Sequence, residues 1–186
     1  MALKTFILEN SSTKRQRQSD IQKAVREYLN NPKAKVEYDE KGRATITNID
    51  KKMNISITCC GKVMLVVLFE KAIGIDGEYI PAIADPEKKI DYMTIAERFF
   101  SVDEVEFLRD SSREAELETF IKIWVRKEAY VKAAGKTIAE FPNFSVVDGP
   151  RFVKKIHGIA IKTFAIKFED CENYTFAIAG ALDQKN

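Results

Sequence analysis

The chain has 186 residues, enough for one domain or for two small lobes that share a core, and its 45% of hydrophobic residues is ordinary for a globular protein. Its 30 basic and 28 acidic side chains leave a net charge of +2, which gives no support for a general role in binding nucleic acids or membranes. No apolar run approaches the roughly 20 residues that span a bilayer, and the N-terminal residues lack the long apolar region of a signal peptide. We therefore expect a cytoplasmic protein.

The cysteines and the single histidine favour neither a disulfide framework nor a zinc site. Cys59 and Cys60 are adjacent, and together with Cys171 they make an odd count. His157 lies between predicted strands, without a Cys or Asp at the spacing of zinc ligands. We expect His157 at the surface or at the end of a strand.

The first half of the sequence predicts a strand, a helix and then several strands. Ser11, Ser12 and Thr13 are good residues to begin the helix, and the Asn-Asn-Pro run at 30–32 is a stop signal. The seven apolar residues at 63–69 predict a central strand that is buried on both faces. The predicted strands are 3–8, 34–38, 43–47, 53–59, 63–69 and 72–80.

The second half of the sequence predicts helices and then strands again. After a loop at 81–89 we expect helices at 90–100, 101–110 and about 113–134, and strands at 144–147, 151–156, 160–169 and 174–179. Ser101 and Glu104 have the spacing of a capping box. The order of elements predicts an α+β fold of two similar lobes, 1–80 and 81–186, which form one structural unit with the active site between them.

The longest predicted helix carries an unusual group of polar side chains near its end. Trp124, Glu128 and Lys132 are spaced four residues apart and are therefore neighbours on one stripe, with Lys127 beside them. An acid between two bases, next to a Trp at the edge of an apolar face, suits a phosphate or metal site. The alternative is an ordinary solvated face on which Glu128 and Lys132 form an ion pair.

A second acidic group lies on the predicted strand at 72–80. Asp76 and Glu78 face the same side of this strand, roughly 7 Å apart at Cα. Two carboxylates there repel each other unless a hard cation such as Mg²⁺ neutralises them. Gly74 and Gly77 leave room for a ligand or for another backbone. The alternative is a strand end that reaches solvent.

Three motifs now stand in order along the chain: Gly74-Ile75-Asp76, the FSVDE run at 100–104 and the WVRKEAYVK run at 124–132. They resemble the signature of the 4′-phosphopantetheinyl transferase superfamily, a G-[IV]-D strand followed by W-x-x-K-E-[AS]-x-x-K on a helix, often with F-[ST]-x-x-E between. The resemblance covers about residues 72 to 136 well and the rest loosely. It implies the pseudo-twofold fold of this superfamily and, in a short version of the two-lobed surfactin-synthetase type, a monomer.

The resemblance also implies a reaction and the residues that serve it. 4′-Phosphopantetheine would pass from coenzyme A to a serine of an apo acyl or peptidyl carrier protein, with Mg²⁺ as cofactor and adenosine 3′,5′-bisphosphate as the leaving product. Asp76, Glu78 and Glu128 would hold the ion, and Lys132 would neutralise the phosphate beside the leaving oxygen. Lys127 would hold a phosphate or orient Glu128. The base for the serine would be Glu128 or a water held by the ion.

Coenzyme A would meet basic and polar residues of the first half. The candidates for its 3′-phosphate are Arg43, Thr58, Lys14, Arg15 and Arg17. For the basic cluster at 14–17 a plain solvated helix end is the alternative. Cys59 stands where the family usually has a histidine that contacts a coenzyme A phosphate, and a thiol cannot supply that charge-assisted bond.

The sequence also predicts a docking surface for the partner protein, and it leaves two hypotheses about catalysis open. The segment 80–110 would dock the carrier protein through its apolar side chains, Ile90, Tyr92, Met93, Phe99 and Phe107; alternatively these side chains close the second lobe. We expect Trp124 in the core, and we expect Glu104 to order the site or only to cap its helix. Against an active transferase stands a non-catalytic module, derived from this family, that binds coenzyme A or a carrier protein.

Overall fold

A computed structural model describes residues 3–80, 91–167 and 173–182. The helices in these ranges are α1 (Lys14–Leu29), α2 (Tyr92–Phe99), α3 (Val102–Arg109) and α4 (Glu116–Ala134), followed by a 3₁₀ helix at Ile138–Asn143. The strands are β1 (Lys4–Glu9), β2 (Lys35–Tyr38), β3 (Ala44–Thr47), β4 (Asn54–Cys60), β5 (Val63–Phe69), β6 (Ile73–Tyr79), β7 (Val147–Asp148), β8 (Arg151–Phe152), β9 (Lys155–Ile156), β10 (Ile159–Lys167) and β11 (Asn173–Gly180). None of the described helices is long and apolar enough to cross a membrane.

The first sheet is antiparallel and has the order β1-β5-β4. All seven residues of β5 are buried, which confirms the predicted central strand. Helix α1 begins after Thr13, whose side chain accepts a hydrogen bond from the Gln16 N–H, and it ends at Asn30 in the left-handed conformation. Its buried residues Ile21 and Val25 belong to one cluster with alternate side chains of β4 and β5. One face of the first sheet is thereby covered.

The second sheet is also antiparallel and has the order β6-β11-β10-β9. Helix α4 packs on it with ten buried residues and ends at Gly135, whose φ of 68° is the left-handed conformation that glycine adopts without strain. Strands β6 and β11 pair so that Asp76 lies opposite Ala177. The acidic strand is therefore an edge of this sheet, beside the longest helix.

The two halves of the chain have the same order of strands. In the first half the chain runs through a strand, a helix, the β2–β3 hairpin and two more strands, and its sheet has the order β1-β5-β4. In the second half the chain runs through a strand, helices, the β7–β8 hairpin and the final strands, and its sheet begins with the order β6-β11-β10. The α+β class and the antiparallel sheets are confirmed. The boundary at residue 80 stays a prediction.

Polar and apolar contacts join the two sheets. The hydroxyl oxygen of Ser56 on β4 accepts a hydrogen bond from the Ile75 N–H on β6 at 2.9 Å. Next to this bond, Leu65 of β5 shares an apolar cluster with Tyr174 and Phe176 of β11. Strand β4 therefore lies directly beside the acidic strand of the other sheet.

Helix α4 approaches strand β6 most closely at Gly74. A Cβ at this position would lie 2.1 Å from the Ala129 carbonyl oxygen and 2.6 Å from the Ala133 nitrogen. At Gly77 a Cβ would meet the ring of Phe176 at 2.1 Å. The space expected beside these glycines is thus taken by a helix backbone and by an aromatic ring, and close packing sets the distance between α4 and β6.

Some predicted elements differ from the structure. The segment predicted as a strand at 144–147 follows a 3₁₀ helix that contains Pro142, and only Val147 enters a two-residue strand. Phe144 instead turns its ring towards Tyr130, with ring centroids 4.5 Å apart. Helix α4 begins at Glu116, about three residues later than predicted. His157 lies in the exposed turn between β9 and β10, which confirms its place at a strand end. The predicted loop at 81–89 and Cys171 lie outside the described residues.

Candidate active site

Asp76 on β6 is the centre of the candidate site. Its side chain is buried, and its Oδ1 accepts hydrogen bonds from Lys132 Nζ at 2.7 Å and from the Thr58 hydroxyl at 3.3 Å. Lys132 also donates to the Ile75 carbonyl oxygen at 3.1 Å. The other oxygen of Asp76, Oδ2, is buried without a hydrogen-bond partner among the described residues. One oxygen of this carboxylate is therefore held by hydrogen-bond donors, and the second is available to a ligand.

Glu78 and Glu128 interact electrostatically with Asp76. Burial raises the pKa of Glu78 to about 7, and the negative charge of Asp76 adds to this. Burial and the same charge also raise the pKa of Glu128, and burial raises the pKa of Asp76 against the pull of Lys132. Three carboxylates thus share one lysine, so the group is short of positive charge.

A magnesium ion suits this group by its chemistry. Hard cations prefer carboxylate oxygens, and the unpartnered Oδ2 of Asp76 is an oxygen of this kind. Within the described ranges, no three His, Cys, Asp or Glu side chains are already arranged as a metal site. The residues fit the ion by donor type and by their need for positive charge, and the assignment of Asp76, Glu78 and Glu128 as its ligands stays a prediction.

A cleft of about 1290 Å³ adjoins the carboxylates. Helix α1, the β2–β3 hairpin and strand β4 form one side, and the last turns of α4 with residues 135–138 form the other. It is somewhat larger than the usual range of small-molecule sites, roughly 300 to 1,000 Å³. Its basic lining residues are Lys14, Arg17, Lys41, Arg43, Lys52, Lys132 and Lys136, and its acidic ones are Asp39, Glu40 and Glu128. The cleft therefore favours an anionic ligand.

Several residues predicted to contact coenzyme A lie in this cleft. Arg17 lines it and donates to the Ser11 carbonyl oxygen at 2.6 Å, while Arg43 lines it and pairs with Asp39 at 2.8 Å. Cys59 is an exposed lining residue. Burial raises the pKa of its thiol, and the positive charges of Arg17 and Lys132 oppose this rise. Arg15, by contrast, is outside the lining.

Thr58, which was predicted to contact coenzyme A, lies outside the cleft lining. The residues of β4 that line the cleft are 54–57 and 59. Thr58 is only 6% exposed, lies outside the cleft lining and donates its hydroxyl to Asp76. The structure brings it to the carboxylates instead of to the phosphate side.

Lys127 is also placed away from the cleft. Its side chain is fully buried, and it donates to Glu104 Oε1 at 2.8 Å, to Glu104 Oε2 at 2.6 Å and to the Phe144 carbonyl oxygen at 2.7 Å. Burial lowers its pKa to about 8, against the attraction of Glu104, which raises it. All three hydrogens of the ammonium are used in these contacts, so Lys127 has no hydrogen left to donate to a phosphate.

Glu104 is the partner that ties these segments together. It accepts hydrogen bonds from the Ser101 N–H at 2.9 Å and the Val146 N–H at 2.7 Å, besides those from Lys127. The first of these is the glutamate half of a capping box. Glu104 therefore joins the start of α3 to α4 and to the segment after the 3₁₀ helix, which favours its structural role.

The aromatic residues around Trp124 pack as a core. The Trp124 ring lies 5.6 Å from that of Phe141 and 6.0 Å from that of Phe120, which confirms Trp124 as a core residue. The apolar side chains expected to dock a carrier protein pack against the same cluster; they are Tyr92, Met93, Phe99 and Phe107. These four are partly buried against it, so their role in docking a carrier protein stays a prediction, and Ile90 lies outside the described residues.

Sequence reasoning missed two kinds of residue. Lys41 and Lys136 add positive charge to the cleft, but single lysines in turns carry no local signal. Ser56 joins the two sheets through a backbone N–H. Its place two residues before Thr58, on the same face of the strand, was the available signal.

Two curated relatives match part of this chain. The 4′-phosphopantetheinyl transferase HetI of Nostoc sp. strain PCC 7120 is 36% identical over 84 residues, which are 45% of this chain and 33% of that protein. The 4′-phosphopantetheinyl transferase psf-1 of Bacillus pumilus is 42% identical over 67 residues, 36% of this chain and 25% of that protein. The chain thus spans about a third of the length of the first relative and a quarter of the second.

The match to a family model is longer than either of these. The model of the 4′-phosphopantetheinyl transferase superfamily matches residues 72–179, more than half of the chain, from the start of the acidic strand to the last residues of β11. The match includes the acidic strand and helix α4 with Glu128 and Lys132. This chain therefore belongs to the 4′-phosphopantetheinyl transferase superfamily.

Proposed function

We propose that the protein transfers 4′-phosphopantetheine from coenzyme A to a serine of an apo acyl or peptidyl carrier protein, in a magnesium-dependent reaction that releases adenosine 3′,5′-bisphosphate. The observation that carries this proposal is the group of Asp76, Glu78, Glu128 and Lys132 beside a basic cleft. The cleft suits the phosphates of coenzyme A, and the acids suit the ion that the reaction needs. We propose further that the protein acts as a monomer in the cytoplasm.

The acids would hold Mg²⁺ through their carboxylate oxygens. Asp76 offers its unpartnered Oδ2, while Glu78 and Glu128 have raised pKa values that a bound cation would bring down again. When bound, the ion supplies Lewis-acid stabilisation of the charge that develops on the pyrophosphate. The chain's own contribution is to bring three acids together beside the cleft, with Glu128 in its lining.

Lys132 is the candidate stabiliser of the leaving phosphate. Two of its three hydrogens are donated to Asp76 and to the Ile75 carbonyl oxygen, and its side chain is 32% exposed at the cleft. A third hydrogen is left for a phosphate oxygen. Because Asp76 and the backbone fix the ammonium in place, little reorganisation is needed as charge builds up in the transition state.

Glu128 is the candidate base for the carrier serine. It lines the cleft, whereas Asp76 and Glu78 do not, so it is the carboxylate that an incoming serine would meet, and a water held by the ion is the alternative base. Cys59, Arg17 and Arg43 would form the opposite, coenzyme A-binding side of the cleft. The catalytic and binding roles thus divide between α4 and the first half of the chain.

The test is incubation of the protein with coenzyme A, Mg²⁺ and a set of apo carrier proteins, followed by intact-mass measurement of the carriers. We expect one carrier to gain the mass of phosphopantetheine, and the gain to be absent with EDTA. Asp76→Ala should lose the transfer while keeping its fold, because the change removes a carboxylate and almost no core volume. Normal transfer by Asp76→Ala at limiting Mg²⁺ would overturn the metal assignment.

A non-catalytic module that binds coenzyme A or a carrier protein is the second candidate. The observation that favours it is the exposed thiol of Cys59, at a position where the family usually has a histidine. Such a module would bind coenzyme A without changing the mass of any carrier. The three acids favour the transferase, because a binding module has little need of them.

A further inference from the structure

The carboxylate of Asp76 is held in an asymmetric way. Both described side-chain donors, Lys132 Nζ and the Thr58 hydroxyl, reach the same oxygen, Oδ1. The second oxygen, Oδ2, is buried and has no partner among the described residues. A carboxylate bound through one oxygen in this manner cannot rotate without losing two hydrogen bonds, so its free oxygen keeps one direction.

The two donors to Asp76 differ in side-chain length and in exposure. Lys132 has a long, flexible side chain, and it is a third exposed at the cleft. Thr58 is a β-branched residue with few rotamers, 6% exposed, in the middle of β4. The rigid donor thus comes from the first sheet and meets an acid of the second sheet.

Resting on the proposed magnesium site, we propose that Thr58 is a positioning residue that orients Asp76 towards the ion, and that it does not contact coenzyme A. Its hydroxyl fixes Oδ1 and leaves Oδ2 for the cation. The neighbouring Cys59 keeps the contact with the cleft. One strand would therefore serve the metal with one residue and the cofactor side with the next.

The burial of Asp76 explains why such a donor is needed. Asp76 is only 7% exposed, so its carboxylate depends on donors of the chain to hold it in one orientation. Partners that orient a metal ligand in this way typically change metal affinity by about 10–100-fold when they are removed.

The test compares Mn²⁺ binding to the purified protein and to three variants, measured by calorimetry in the absence of substrates. Thr58→Val removes the hydroxyl and keeps the shape, while Thr58→Ser keeps the hydroxyl. Ser56→Ala is the matched control, because Ser56 lies two residues earlier on the same face and joins the sheets without touching Asp76. Asp76→Ala identifies the heat that belongs to this site.

We expect Thr58→Val to bind Mn²⁺ at least about tenfold more weakly, and Thr58→Ser and Ser56→Ala to bind it within about threefold of the parent protein. Coenzyme A affinity without metal should be the same in Thr58→Val and the parent. Should Thr58→Val fail to fold, Thr58→Ala takes its place in the comparison.

Other results would overturn the positioning role. Unchanged Mn²⁺ binding with weaker coenzyme A binding in Thr58→Val would return Thr58 to the cofactor side. Equal losses in Thr58→Val and Ser56→Ala would mean that the hydroxyls only join the sheets. In both cases the proposed transfer would stand, whereas a parent protein that binds no Mn²⁺ at Asp76 would overturn the magnesium site together with this role.

Discussion

The two halves of the molecule have the same strand order but bring different chemistry to the cleft. Strand β1 (KTFILE) and strand β6 (IGIDGEY) hold equivalent positions in their sheets, yet only β6 contains glycines and buried acid. Helix α1 lines the cleft with the basic side chains of its first turns, Lys14 and Arg17. Helix α4 lines it with Glu128 and Lys132, close to Asp76.

The difference shows what a buried site requires of a repeated fold. Gly74 lets α4 lie against β6, and this closeness brings Lys132 to Asp76. Neither Gly42 nor Gly61, the described glycines before β6, lies against a helix in this way. The basic residues Lys14 and Arg43 stay exposed at the cleft, where they suit binding more than catalysis. We therefore propose that the second half carries the chemistry and the first half mainly the recognition of coenzyme A, and five predictions test that division.

The largest expected effect is on stability, at the buried ion pair of the second half. Lys127→Met leaves Glu104 buried without its ammonium, and breaking such a pair typically costs about 3–5 kcal/mol of the free energy of unfolding. Urea unfolding measures this, and the double variant Lys127→Met/Glu104→Gln should recover part of the loss. The exposed pair Arg109–Glu97 is the control, since Arg109→Met should cost less than about 1 kcal/mol. Similar losses at both pairs would refute the structural role of Lys127.

The next effect concerns the close approach of α4 to β6. Gly74→Ala places a Cβ 2.1 Å from the Ala129 carbonyl oxygen, so the helix must shift, and we expect a loss of about 1–3 kcal/mol together with most of the transfer activity. Gly158→Ala, at an exposed turn outside the cleft lining with φ of 84°, meets no atom within 4 Å and should cost only backbone strain, about 1 kcal/mol, with activity retained. Full activity in Gly74→Ala would show that the spacing of α4 and β6 does not matter for the site.

A smaller effect is the pH dependence of stability without metal. The folded pKa of Glu78, about 7, lies above the ordinary value of 4.5, so the folded state binds more protons between these values. Stability should therefore fall as pH rises from about 4.5 to about 7, by on the order of 1–2 kcal/mol after allowance for solvent screening. Glu78→Gln should flatten most of this decline, and saturating Mg²⁺ should do the same. A decline that persists unchanged in Glu78→Gln would contradict the assignment to this residue.

The smallest effect is expected on the binding side. Cys59→His would add an imidazole to the basic lining of the cleft. Coenzyme A should then bind up to about tenfold more tightly, through a charge-assisted hydrogen bond from the imidazole to its 3′-phosphate. Dephospho-coenzyme A, which lacks that phosphate, should show little gain. An equal gain with both ligands, measured by calorimetry, would mean that Cys59 lies away from the 3′-phosphate.

Local patterns in the sequence predicted most of the fold. A continuous apolar run and capping residues indicated β5, α1 and the capping bond of Glu104, because these depend on neighbours in the chain. The short strands after α4 were harder to predict, since Phe144 is buried by Tyr130 and not by a sheet. The acids of the site and Lys132 could be identified by motif, and the structure places them together.

The roles of Thr58 and Lys127 could not be read from the sequence. Whether Thr58 faces the cleft or the acids depends on how β4 crosses β6, a contact between residues 18 positions apart. Lys127 precedes Glu128 by one residue, yet the turn of the helix points it into the core towards Glu104, 23 positions earlier. Packing between residues that are so far apart in the chain gives no periodic pattern in the sequence.

The most direct test of the division between the halves is the rate of phosphopantetheine transfer by Lys132→Met, followed by intact mass of the carrier protein. The variant keeps the length of the side chain and removes its charge. We predict turnover lower by on the order of a hundredfold, as for the loss of one fixed electrostatic stabiliser, with coenzyme A affinity within about threefold of the parent protein. Turnover at the parent rate, or a loss of binding that accounts for the whole loss of turnover, would contradict the assignment of the chemistry to the second half.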